Sequence, residues 1–211
     1  MDQDHGRSAA AVFDALGAEY ERAFAGSPAR HASLQRLLEE LPAHGRVLDV
    51  GSGTGRPTAW TLAEAGHIVL GVDISPVMVE LAARQVPRAS FVCADIREID
   101  LEERGFDAVC AYFSLLQMSR DDQSRLLRKL GRLLMPGGVL AVATVPLDVE
   151  DLPVVFMGQE MRVSSFDAET FTEMVAAAGF SVLWERGDLF TPAHGAAVPE
   201  PELFLLCRRE D

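Results

Sequence analysis

Cysteine is scarce. Cys93, Cys110 and Cys207 are the only three in 211 residues, far apart and each inside an apolar, strand-like run. That spacing excludes a disulfide framework and a Cys-x-x-Cys metal site, and it predicts three small core side chains in a reducing cytosol. No His-x-x-x-His and no tight carboxylate cluster occurs either, so no metal is expected. Basic charge is short: 19 Lys plus Arg against 32 Asp plus Glu give a formal net charge of −13. Such a surface repels nucleic acid and anionic lipid, and neither is expected as a partner. No apolar run approaches the roughly 20 residues that span a bilayer. Met1 to Arg7 are polar and charged, so no secretory signal is expected and the cytoplasm is the expected location. There is no internal repeat or low-complexity tract. The length suits one domain whose core needs no metal or disulfide.

What is present centres on Arg46-Val47-Leu48-Asp49-Val50-Gly51-Ser52-Gly53-Thr54-Gly55-Arg56. Val47 to Val50 read as a short buried strand. Gly51, Gly53 and Gly55 form a loop with little side-chain bulk, and Thr58 to Glu64 can form a helix. Strand, glycine loop and helix in that order bring bare N–H groups close to a ligand. The spacing is Gly-x-Gly-x-Gly, not the Gly-x-Gly-x-x-Gly of dinucleotide sites. Asp49 at the strand end would repel a pyrophosphate and favour a ligand carrying positive charge. A nicotinamide-dependent oxidoreductase is therefore disfavoured. A second strand, Ile68 to Val72, ends at Asp73, 18 residues past Gly55. A carboxylate there can accept two hydroxyl hydrogen bonds from a ribose diol. A third strand, Ser90 to Ala94, ends at Asp95-Ile96, which can offer an acceptor to a base amino group and an apolar wall to its ring.

Val47 to Gly55, then Gly71-Val72-Asp73-Ile74-Ser75, then Ala94-Asp95-Ile96 resemble the S-adenosylmethionine-binding motifs of class I methyltransferases. Phe106-Asp107-Ala108-Val109 and Leu134 to Leu140 resemble two later landmarks of that family. The resemblance implies an α/β fold with a Rossmann-like, seven-stranded, mostly parallel sheet in the order 3-2-1-4-5-7-6, its last strand antiparallel. It also implies an N-terminal helical lid over residues 1–45, a cofactor-binding core over 46–211, and S-adenosyl-L-methionine as cofactor with S-adenosyl-L-homocysteine as product. On it, Asp49 steers the cofactor's ammonium and closes hydrogen bonds to the glycine loop. Gly51, Ser52, Gly53 and Gly55 let backbone approach. Asp73 and Ile74 hold the ribose, and Asp95 with Ile96 the adenine. Met78 lies along the adenine, Tyr112 and Phe113 line the methyl end, and Tyr20 of the lid, with Phe24 beside it, touches the methionyl part.

The rest of the chain alternates helix and strand. Ala9 to Phe24 has helical spacing, with Val12, Phe13, Leu16 and Tyr20 on one side, and Gly26-Ser27-Pro28 ends it. Arg30 to Leu41 forms a second helix. Ser75-Pro76 and Ser119 start later helices, and Asp167 caps another. Pro136-Gly137-Gly138 stops the Ser119 helix before a strand over Val139 to Val145. Pro146 to Ser165 reads as the least regular part. Two final strands, Ser181 to Arg186 and Leu203 to Arg208, flank a long loop from Gly187 to Pro201.

The expected activity is methyl transfer to a small, largely apolar metabolite. The alternative is a cofactor-binding relative that catalyses a cyclisation or acts as a regulatory partner. An activated sulfonium needs no protein nucleophile; alignment and exclusion of water dominate. No general base stands out. Tyr112, His194 and His31 are weak catalytic candidates, and Asp148 and Glu160 can reach the same rim. No Asn-Pro-Pro-Tyr-like run follows strand four; Ala111-Tyr112-Phe113-Ser114 stands there instead. The acceptor pocket is expected from the first helix, Ser114 to Met118 and Val154 to Arg162, with Phe156, Met157 and Met161 as adaptable apolar walls. A monomer or homodimer is expected.

Overall fold

The computed structural model describes residues 2–195 and 198–210, with side chains from Ala9 onward. Three helices come first: α1 (Asp2–Leu16), α2 (Ala18–Phe24) and α3 (Pro28–Glu40). The single helix expected over Ala9 to Phe24 is two. Gly17 adopts φ 48° and ψ −132°, a conformation open only to glycine, and the axis breaks there. Ser27 caps α3 by accepting from the Arg30 N–H at 3.2 Å, and Pro28 occupies the first helical position, where its missing N–H costs nothing.

β1 (Arg46–Val50), α4 (Thr58–Glu64), β2 (Ile68–Asp73), α5 (Pro76–Gln85), β3 (Ser90–Cys93), β4 (Phe106–Tyr112), α6 (Arg120–Leu133) and β5 (Leu134–Thr144) then alternate. After β5 come β6 (Val149–Phe156), β7 (Gln159–Ser165), α7 (Ala168–Ala177), β8 (Phe180–Phe190) and β9 (Glu200–Arg209). Seven strands make one sheet in the order β3-β2-β1-β4-β5-β9-β8. β1 to β5 run parallel, and β9 is antiparallel to both β5 and β8. This is the expected mostly parallel Rossmann-like sheet.

The pleat distributes the strands between two layers. Leu48, Val109, Leu140 and Leu205 pack under α6 and α7, against Leu127, Leu130, Phe171 and Val175. Val47, Ala108, Cys110, Ala141 and Phe204 face the opposite layer, against Leu34, Leu37, Ala59 and Leu62 of α3 and α4. β9 is buried along Leu203 to Cys207, as a strand with neighbours on both sides and helices on both faces must be. By the same alternation Asp49 shares the face of Val47 and points toward the α3 layer.

Three further expectations are corrected. Cys93 is exposed, not a core residue, because β3 is a sheet edge with little cover. Cys110 and Cys207 are buried. Pro146 to Ser165 is not irregular: β6 and β7 form an antiparallel hairpin turning at Met157-Gly158, both at positive φ. The Gly187 to Pro201 loop is shorter than expected, since β8 runs on to Phe190 and β9 begins at Glu200. No helix among the described residues is long and apolar enough to cross a membrane.

Candidate active site

The carboxyl ends of β1, β2, β3 and β4 open into one cavity. Its walls include Val50, Gly51 and Gly53 from the β1 loop, Asp73 and Ile74 after β2, Asp95, Ile96 and Arg97 after β3, and Tyr112 to Ser114 after β4. Met78 of α5, Gln117 and Met118 complete the sides, and Ala9, Phe13 and Tyr20 close it from the N-terminal helices.

Asp73 organises the glycine loop. Its Oδ2 accepts the Gly53 N–H at 2.8 Å and its Oδ1 the Ser75 N–H at 2.9 Å. Val72 O accepts from Gly51 N at 2.8 Å and Ser52 N at 3.2 Å. Burial pushes the Asp73 carboxyl above its usual range, opposed by the Ser75 and Gly53 bonds and assisted by the Asp14 charge. The loop bonds expected of Asp49 are thus made by Asp73. Gly51 has φ 66°, and a Cβ there would lie 2.4 Å from Ser114 Cβ, so the two loops touch through that missing side chain. Gly55 does a different job: a Cβ there would meet Val86 at 2.9 Å, so this glycine lets α5 pack close.

Asp49 is 3 % exposed, and its Oδ2 has no hydrogen-bond partner among the described residues. Burial raises its pKa to about 7, against the pull of the Arg30 charge and with the push of Asp73. Ser52 Oγ and Ser114 Oγ are also buried without partners among the described residues. Three unmet polar atoms beside a glycine loop fit the polar, ammonium-bearing tail of an amino acid.

Arg30 of α3, 6 % exposed, is a cation that sequence spacing did not single out. Its guanidinium carbon lies 5.3 Å from the Phe113 ring centre and 5.8 Å from that of Tyr112. The available signal was its position four and seven residues before Leu34 and Leu37, on the buried side of α3. Phe113 itself has φ 59°, a strained value for a bulky residue, at the rim of the cavity.

Asp95 is held by Arg97, two residues on. Oδ1 accepts the Arg97 main-chain N–H at 2.8 Å and Nε at 3.0 Å; Oδ2 accepts Nη2 at 2.6 Å. Burial would raise the Asp95 carboxyl, but the Arg97 side-chain and main-chain bonds and the Arg97 charge hold it below the ordinary range.

The weak base candidates scatter. The Tyr112 ring lines the cavity, but its hydroxyl lies 2.9 Å from Ser33 Oγ, and burial keeps its pKa well above normal. His31 is exposed, with Nδ1 2.7 Å from Ser27 O, and His194 faces Glu19 at 3.7 Å; among the described residues neither borders the cavity. Asp148 is paired with Arg120, and Glu160 is exposed on β7. Of the expected acceptor walls, Ser114, Gln117 and Met118 border the cavity. Phe156, Met157 and Met161 instead pack on Val12, Leu16 and Tyr20. No group of three or more His, Cys, Asp or Glu among the described residues could hold a metal ion.

Residues 47–138 match the family described as a methyltransferase domain. Over that segment the chain is similar to methyltransferases. The matched segment spans β1 to the start of β5 and so contains the four strand ends that shape the cavity. Relatives include methyltransferase GfsG of Streptomyces halstedii, 34 % identical over 119 residues, covering 53 % of this chain and 42 % of that protein. Another is the dTDP-4-amino-2,3,4,6-tetradeoxy-D-glucose N,N-dimethyltransferase of Saccharopolyspora spinosa, 34 % identical over 133 residues, covering 62 % and 52 %. The chain thus spans about half the length of these curated relatives. Its fold is similar to that of the Burkholderia thailandensis 1,6-didemethyltoxoflavin-N1-methyltransferase, solved with 1,6-didemethyltoxoflavin and S-adenosylhomocysteine. That similarity has a TM-score of 0.74 at 24 % identity over 100 % of this chain and 91 % of the other.

Proposed function

We propose that the protein transfers a methyl group from S-adenosyl-L-methionine to a small, largely apolar metabolite. The observation that carries the reading is the set of buried polar atoms without partners among the described residues, Asp49 Oδ2, Ser52 Oγ and Ser114 Oγ, around a glycine loop that matches a methyltransferase family. When bound, S-adenosyl-L-methionine supplies a methyl group on a positively charged sulfur, open to in-line displacement.

The chain's own residues supply binding, orientation and dryness. Asp49 receives the amino-acid ammonium, Gly51 and Gly53 bring backbone close, Asp73 receives the ribose diol, and Ile96 and Met78 flank the purine. Tyr112, with its hydroxyl in a hydrogen bond with Ser33, presents a ring and not a base. The N-terminal helices act as a lid through Phe13 and Tyr20, excluding water from the reacting centre. The substrates in the relatives' names, a dTDP-linked amino deoxy sugar and 1,6-didemethyltoxoflavin, support a small-molecule acceptor.

The test pairs calorimetry with product detection. Titration with S-adenosylhomocysteine should show one site per chain. Incubation with S-adenosylmethionine and a panel of small apolar nucleophiles should release S-adenosylhomocysteine in step with a methylated product. Binding without release across the panel would favour a non-methylating use of the same nucleoside, and no binding would refute the reading.

A further inference from the structure

The pair of acid and guanidinium at the end of β3 is more tightly specified than base binding by a lone carboxylate requires. Arg97 grips both oxygens of Asp95 and also contributes its own main-chain N–H. Nε is shared, 3.0 Å from Oδ1 and 3.1 Å from Oδ2. Arg97 thus brings three N–H groups to a carboxylate with about four acceptor sites, which leaves about one for a ligand. Both residues border the cavity.

The clamp is itself anchored from α6. Arg97 Nη1 donates to Asp122 Oδ2 at 3.3 Å, and Asp122 is 6 % exposed at the first turn of that helix, paired also with Arg125. Seven residues on, Lys129 donates to three carbonyls of the same connector, Ile96 O at 2.9 Å, Arg97 O at 3.2 Å and Ile99 O at 2.6 Å. Positions seven apart share a helix face, so one side of α6 fixes both the side chain and the backbone of the segment that carries Asp95. A mere surface ion pair would have no such backing.

We propose that Arg97 is a specificity-determining positioning residue: by clamping Asp95 as a fixed acceptor it makes the cavity select a purine with an exocyclic amino group over one with a carbonyl there. This rests on the reading that Asp95 meets the base edge of the bound nucleoside. An ionised, immobilised carboxylate rewards a donor. It faces a carbonyl with two acceptors and no proton between them, and a site built for one hydrogen-bond polarity rejects the other strongly. Without Arg97 the carboxyl is free to rotate or to take up a proton, and either change lets it tolerate the carbonyl.

The experiment is calorimetric and needs no turnover. S-adenosylhomocysteine and its oxo analogue S-inosylhomocysteine are titrated into the full chain and into R97M, R97K and R125M. The unaltered protein should prefer the amino base by roughly 10- to 100-fold. R97M should reduce that preference to below about 3-fold, and R97K, which keeps charge but loses the fork, should fall between. R125M, which removes a partner of Asp122 and leaves Arg97 in place, should keep the full preference. A preference unchanged in R97M, or weakened binding of both nucleosides by one common factor, overturns the proposal while leaving the methyltransferase reading intact. If R97M does not fold, R97K decides, and an undiminished preference there overturns it. An unaltered protein that binds neither nucleoside removes the underlying reading first.

Discussion

The hydroxyl of Ser27 donates to Glu202 Oε2 at 2.9 Å, joining the cap of α3 to the start of β9 across 175 positions of sequence. Both groups are buried, and the same Ser27 oxygen caps α3 through the Arg30 N–H. Burial raises the Glu202 carboxyl, while Ser27 and the Arg30 charge pull it down. Ser27→Ala removes the cap and the donor together. We expect a loss of about 1–3 kcal/mol, read as a lowered denaturant midpoint with unchanged slope. A midpoint equal to that of the unaltered protein would contradict it.

Asp49 gives a pH dependence with a definite sign. Its pKa rises from 3.8 to about 7 on folding, so the folded chain holds an extra proton between those limits. Its contribution to stability therefore falls as pH rises through that window and is flat above it. An ammonium-bearing ligand prefers the ionised form. Affinity for S-adenosylhomocysteine should climb toward pH 7 and then level off, with Asp49→Asn abolishing the climb. Calorimetry across the window checks both halves.

The two glycines of the loop should separate by mechanism. Gly53 has φ 53° and open space around its missing side chain, so Gly53→Ala should cost about 1 kcal/mol from backbone conformation alone. Gly51→Ala adds a 2.4 Å collision with Ser114 Cβ. It should cost more stability and, by displacing Ser114, weaken nucleoside binding at least about 10-fold. Equal effects of the two changes would contradict this division.

Asp14 of α1 accepts the Ser75 hydroxyl at 2.5 Å, next to the Asp73 turn. Asp14→Ala should loosen α1 from α5 and expose the Gly17 junction. Faster proteolytic cleavage near Gly17, with stability lowered by about 0.5–1.5 kcal/mol, is the expected result. Cleavage at an unchanged rate would show that apolar packing alone seats the helix.

The frame was readable because burial writes itself into spacing. The apolar runs of β1, β2 and β9 and the caps at Ser75, Ser119 and Asp167 are local signals, and the sheet follows from their order. The hairpin was hidden: β6 is exposed along most of its length and contains Pro153, so neither alternation nor continuous apolarity marks it. At the site, acids at strand ends were visible, but their partners were not. Arg30 and Arg97 look like solvated charges in sequence; Arg30 becomes a buried cation against Tyr112 and Phe113, and Arg97 a cavity residue, only once α3 and the β3 connector are folded onto the sheet. Likewise Asp49 and Asp73 share one face of the pleat, so alternation in the sequence does not choose between them for bonding the loop.

Lys129 is the one lysine in the chain, and its ammonium is committed to three carbonyls of the β3–β4 connector. Amine-directed reagents therefore meet a single side chain on this protein, not a scattered set. The yield of labelling at that nitrogen becomes a chemical gauge of whether the connector is seated, one that can be read by mass without any substrate at all.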